Sequence, residues 1–98
     1  MRASPYAYQL LEQAVAILPV SHEDIIYKGI AAEVSERIVA LKKAAARLQG
    51  AYGSLEELER KIQIEGVSPD DHTLYTNLLE WRAITHELTE LLRVLEAL

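Results

Sequence analysis

Acidic and histidine side chains meet at one point of the chain, in the segment EGVSPDDHTLYTNLLEW (residues 65–81). There Asp70, Asp71 and His72 are consecutive. Carboxylates and imidazoles are the groups that bind metal ions and move protons in general acid–base catalysis. Such sites need ligands at a defined spacing, such as H-x3-H or E-x-x-H on facing helices. This segment contains no such spacing, so its residue types alone do not define a chemical site.

The same residues are those expected where one helix ends and the next begins. Gly66 suits the end of a helix, Ser68 an N-cap and Pro69 the first helical position. Asp70 and Asp71 suit the positively charged first turn of a helix. We therefore predict that this acidic corner is a helix start.

The other candidate sites are equally incomplete. His86 and Glu87 begin like the zinc-binding motif H-E-x-x-H, but position 90 is Glu where the second histidine would stand. No glycine-rich loop of the phosphate-binding type occurs. Four serines stand at expected helix caps rather than beside a general base: Ser4, Ser21, Ser54 and Ser68. We predict no catalytic residue, no metal, no cofactor and a non-enzymatic protein.

Length and composition favour a single small helical domain, residues 1–98. The chain carries a formal net charge of −5, has no cysteine, and is 50% hydrophobic with no phenylalanine. The lack of cysteine excludes disulfides and thiolate metal sites. No segment approaches the ~20 apolar residues that span a bilayer, and the apolar run near the N-terminus is interrupted by Gln9, Glu12 and Gln13. We expect a soluble, cytoplasmic protein without a membrane partner.

Charge is unevenly distributed along the chain. Residues 54–71 carry six acids against two bases, whereas residues 37–53 carry four bases and no acid: Arg37, Lys42, Lys43 and Arg47. Opposite patches of this kind favour alignment of two helices or two subunits. Nucleic-acid binding through the 37–47 stretch is a third alternative, which the net negative charge of the chain disfavours.

Apolar periodicity predicts an all-α antiparallel bundle, with helices at about 4–18, 21–49, 54–65 and 68–96. Ser21 and Asp24 resemble a capping box at the start of the second helix. That helix bears two apolar stripes, which indicates two packing partners. The first stripe is Ile26, Ile30, Val34, Ile38, Leu41, Ala45 and Leu48, and the second is Ile25, Ala32, Val39 and Ala46.

The segment around Gly50 and Gly53 allows two interpretations. A heptad-like apolar series continues through it from Leu41 to Ile62, as in an unbroken coiled coil. Each glycine, however, costs about 1 kcal/mol relative to alanine inside a helix, and Ser54 with Glu57 forms a start signal of similar strength. We expect a break or a sharp kink near Gly53.

Trp81 is the residue most open to a functional interpretation. It lies at a core-spaced position in the segment LLEWRAI, where simple packing would explain it. Tryptophan is also over-represented among the residues that dominate protein–protein binding. We name Trp81, Leu78, Leu88 and Glu80 as candidate interface residues.

Residues 50–95 carry a recognisable succession of motifs. Tyr52-Gly53-Ser54 precedes a capped acidic helix, a glycine-containing turn follows, and then come Glu80-Trp81 and regularly spaced leucines. This pattern resembles the antitoxins of prokaryotic toxin–antitoxin pairs, and the resemblance implies a protein that binds and neutralises a cognate toxin. Two hypotheses about the function remain: an interaction module of this kind, or a structural or regulatory homo-oligomer without a toxin partner. In either case we expect self-association, with a homodimer favoured.

Overall fold

A computed structural model describes residues 5–98 and confirms the all-α prediction. The helices are α1 (Pro5–Ile17), α2 (His22–Tyr52), α3 (Leu55–Glu65) and α4 (Thr73–Ala97), and no strand occurs among these residues. The expected cap of the first helix by Ser4 lies outside the described residues.

The start of α2 is the predicted capping box. The backbone N–H of Asp24 donates to Oγ of Ser21 at 3.1 Å, and the backbone N–H of Ser21 donates to the Asp24 carboxylate at 3.2 Å. Both N–H groups would otherwise lack a helical partner. The hydrogen bonds from Ser21, the backbone one first, lower the pKa of Asp24 below its usual value.

The predicted break at Gly53 is confirmed. Helix α2 runs three residues beyond its expected end, through Gly50, and ends where Gly53 takes φ +90°. The Gly53 N–H donates to the Gln49 carbonyl at 2.7 Å, and the Glu57 N–H donates to Oγ of Ser54 at 3.0 Å to begin α3. A positive φ favours glycine, so this residue ends the long helix despite the continuous heptad pattern.

The start of α4 differs from the prediction: the helix begins at Thr73 rather than near residue 68. Ser68 and Asp71 act in a turn before the helix. Oγ of Ser68 accepts from the Asp70 N–H at 3.2 Å, and the Asp71 carboxylate accepts from the Thr73 N–H at 2.9 Å. Short polar side chains can accept hydrogen bonds from nearby backbone N–H groups and so favour a turn over a helix. Here they form a turn. Gly66 ends α3 as expected, with φ +72°.

The last helix packs antiparallel along α2, and α3 packs against both of them, whereas α1 packs only against α2. The side-chain amide of Asn77 donates to the Tyr52 hydroxyl at 2.6 Å near one end of the α2–α4 pair. The core lies where α2, α3 and α4 meet, and its buried members are Leu41, Leu48, Leu58, Leu78, Trp81 and Ile84.

The molecule is a rod of 63 × 25 × 19 Å with a radius of gyration of 20.2 Å. A compact domain of this length would have a radius of gyration of about 13 Å. No residue of α1 is buried, and the buried residues of α2 begin only at Ile38. The hydrophobic core therefore occupies one end of the rod.

Candidate interaction surface

The acidic corner, residues 70–72, forms a turn, and the carboxylate of Asp71 accepts hydrogen bonds within that turn. The Thr73 hydroxyl and backbone N–H both donate to Asp71, and these hydrogen bonds lower the pKa of Asp71. A cavity of about 450 Å³ lies beside this turn and is lined in part by Gly66, Pro69 and Tyr75. Among residues 5–98, no three His, Asp or Glu side chains are grouped as metal ligands would be. Ser68 and Asp71 thus stabilise a turn at this corner.

The four candidate interface residues fall in three different environments. Trp81 and Leu78 are buried in the chain's own core, with Trp81 only 8% exposed. Glu80 is exposed and accepts a hydrogen bond from Arg47 at 3.3 Å. Leu88 is half-buried at the edge of the core. Their role in binding a partner stays a prediction, and of the four only Glu80 and Leu88 retain appreciable exposed surface.

The basic stretch is partly neutralised by α4. Arg37 pairs with Glu87 and Arg47 with Glu80, so these arginines meet acids outside the predicted acidic patch. The acidic patch contributes Glu59, which pairs with Arg82. The antiparallel course of α4 along α2 explains these partners, because it places acids of α4 beside the bases of α2. The basic stretch and the acidic patch thus each form ion pairs with α4 and not, as the sequence indicated, with each other.

At one end of the rod, α3 closes the seam between α2 and α4. Leu58 projects from α3 into this seam and is 0% exposed. Leu55 and Ile62, one turn away on either side, pack against the same core. Three helices around a common apolar axis cover one another's stripes here. This closed end shows what a fully covered α2–α4 seam requires: a third helix across it.

Toward the other end, the core-facing stripe of α2 emerges into solvent. Ile38 is 7% exposed, Val34 is half-buried, Ile30 is 38% exposed and Ile26 is 50% exposed. A step of four residues advances about 40° around the helix, so Ile26 lies about 120° from Ile38 and part of the gradient is rotation. Leu41 and Ile30, in contrast, lie within about 20° of each other, and they are 5% and 38% exposed. On that shared face the difference reflects loss of cover.

The apolar stripe of α4 also becomes exposed to solvent toward the same end of the rod. Trp81 and Ile84 are buried, Leu91 and Leu95 are half-buried, and Leu98 is exposed. We call the surface formed by both stripes at this end the open seam. It comprises Ile26, Ile30 and Val34 of α2 with Leu88, Leu91, Leu95 and Leu98 of α4, and none of these positions carries a charge.

Helix α1 does not close the open seam, because it lies against α2 and none of its Cα atoms comes within 8 Å of a Cα atom of α4. It half-buries Leu11, Ala14 and Val15. Its other large apolar side chains remain exposed: Tyr6, Tyr8, Leu10 and Ile17. Exposed aliphatic and aromatic side chains at this density typify helices that bury against another chain.

The total accessible surface is large for the mass of the chain. The chain exposes 7552 Å², whereas a compact monomer of 11.0 kDa exposes about 5,600 Å². The excess is roughly 1,900 Å², more than the ~800 Å² that one partner contributes to a standard interface. The sequence indicated two packing partners for α2 but did not indicate where the uncovered surface lies.

Comparison of the chain with protein-family models, with curated proteins and with solved structures found no match. The resemblance to antitoxins is thus neither supported nor contradicted. No helix within residues 5–98 combines the length and apolar character needed to cross a membrane.

Proposed function

We propose that this protein is a non-enzymatic interaction module that binds a helical segment of another chain along the open seam. The observation that carries the proposal is the loss of cover along one face of α2, from 5% exposure at Leu41 to 38% at Ile30. An amphipathic helix laid in an apolar groove is a common mode of recognition. A partner helix would cover the open seam as α3 covers the closed end.

A dye that fluoresces in apolar surroundings tests whether the open seam is available. We expect binding in dilute solution, and we expect Ile26→Gln with Ile30→Gln to reduce it. Ile64→Gln is the matched control, since Ile64 is 78% exposed on α3 and far from the open seam in the fold. A monomer that binds no dye at any concentration would contradict the proposal.

Neutralisation of a toxin is a second candidate function, which the acidic face of α3 favours. Glu56, Glu57 and Glu65 are exposed, and none of them forms an ion pair with another described residue. Such a face would suit a basic, RNA-handling site on a toxin. A neighbouring gene for a small basic protein, and co-purification that Glu56→Gln with Glu57→Gln weakens, would support it. Co-expression without complex formation would count against it.

Nucleic-acid binding through residues 37–47 ranks third, because two of the four bases already pair with acids. Lys42 and Lys43 are the bases left over, and both are exposed. A salt-sensitive shift of DNA or RNA that Lys42→Ala with Lys43→Ala abolishes would favour this function. A shift that the double variant leaves unchanged would exclude it.

A further inference from the structure

We infer that the partner on the open seam is a second copy of this chain, and that two open seams pack face to face as a four-helix bundle. This inference rests on the proposed function and names its partner. Each copy would contribute the residues from His22 to about Arg37 of α2 and the last turns of α4.

The size of the uncovered surface favours a permanent partner. The excess of roughly 1,900 Å² is spread over the whole chain, and it is large enough to include the ~1,000–2,500 Å² that each side of an obligate homodimer buries. A transient partner buries about 600 Å² or less on each side and would leave most of this excess exposed. Small helical domains often obtain from such an interface the core that their own length cannot supply.

The chemistry of the open seam also suits a copy of itself. Its residues are Ile, Val and Leu, without a charge that would demand an opposite charge on the partner. A two-fold axis through this surface lets each stripe meet its equivalent, and the contact closes on itself instead of growing into a filament. Two charged pairs near the open seam are internal, Arg37 with Glu87 and Arg93 with Glu90. Glu33, Glu36 and Glu96 are exposed beside it and form no ion pair with another described residue, so a copy of the chain must leave them at the rim of the contact.

Mass measurement of the full chain by sedimentation or light scattering, from about 1 to about 100 µM, tests the inference. We expect twice the chain mass of 11.0 kDa. Ile30→Glu would place a carboxylate in an apolar interface and weaken the dimer roughly a hundredfold or more. Ile64→Glu is the matched control and should leave the mass doubled. The exposure of Ile30 lets the monomer keep its fold with this substitution, which circular dichroism verifies.

A second measurement avoids the added charge. The chain has no cysteine, so Ile26→Cys or Ile64→Cys introduces a unique thiol. We expect a short bis-maleimide reagent to cross-link the first variant into dimers and to leave the second monomeric on a denaturing gel. Equal cross-linking of both, or of Ile64→Cys alone, would overturn the inference.

The outcomes separate this inference from the function on which it rests. A chain that stays monomeric at about 100 µM and binds the apolar dye overturns the homodimer and leaves the open seam free for another protein. A monomer that binds no dye overturns both. A dimer that Ile30→Glu leaves intact and Ile64→Glu dissolves would move the interface to α3 and overturn the inference.

Discussion

The guanidinium group of Arg37 meets the carboxylate of Glu87 through two hydrogen bonds, from Nε to Oε1 at 2.8 Å and from Nη2 to Oε2 at 3.0 Å. The two residues are 50 positions apart in sequence, so the pair links α2 to α4. It lies where the buried core gives way to the open seam, beside Ile38 and Leu88. Bidentate geometry of this kind fixes orientation as well as distance.

Acid should weaken this link. The hydrogen bonds from Arg37, followed by its positive charge, lower the pKa of Glu87 in the folded chain. Its stabilising contribution is therefore present above the unfolded carboxyl pKa of about 4.3 and is lost as pH falls through the lower folded value. We expect Glu87→Gln to lower the Tm at pH 7 and to match the wild type below that window. Thermal unfolding from pH 7 to pH 3 measures this, with Glu56→Gln as the unpaired control. A difference in Tm that persists unchanged in acid would refute the assignment.

Two glycines three residues apart should respond oppositely to alanine. Gly53 has φ +90°, and a Cβ there would overlap the Glu57 carboxylate, so Gly53→Ala should destabilise the fold by about 1–3 kcal/mol. Gly50 is helical with no atom near its absent Cβ, so Gly50→Ala should stabilise by about 0.5–1 kcal/mol. Urea unfolding followed by circular dichroism gives both free energies. If both variants gained stability, the long helix would be continuous through Gly53.

Truncation of Leu58 should open the closed end. The side chain is 0% exposed, and Leu58→Ala removes its contacts with α2 and α4. Burial of this kind makes the change cost about 2–5 kcal/mol, a large share of the stability of a small domain. Ile64→Ala, on the same helix but 78% exposed, should change the free energy of unfolding little. Similar losses in the two variants would mean that α3 does not pack as described.

The hydroxyl of Tyr52 should contribute measurably to stability. It accepts the Asn77 amide hydrogen bond in a half-buried setting, so Tyr52→Phe leaves that amide with one partner fewer. The expected loss is about 1 kcal/mol, as for other intramolecular hydrogen bonds. Tyr75 is exposed, and Tyr75→Phe serves as the control for removing a hydroxyl. Equal stability of the two variants would show that the Tyr52 hydroxyl is equally well solvated by water.

Most helix starts and ends could be predicted from the sequence, because the interactions that form them join residues only a few positions apart. The capping box at Ser21 joins residues three apart, and the positive φ at Gly53 is a property of glycine itself. The exception is the start of α4. There the same short polar residues suit both an N-cap and a turn, and the hydrogen bonds of Ser68 and Asp71 favour the turn.

The amino-acid sequence by itself determined the helical class, the break between α2 and α3, and the two apolar stripes on α2, more than one partner helix would cover. Only the tertiary structure decided which parts of those stripes are covered. Leu41 and Ile30 share one face of α2 and the same aliphatic chemistry, yet Leu41 is buried and Ile30 is 38% exposed. Cover depends on which helices, distant in sequence, lie across that stripe, and helical periodicity carries no information about those neighbours.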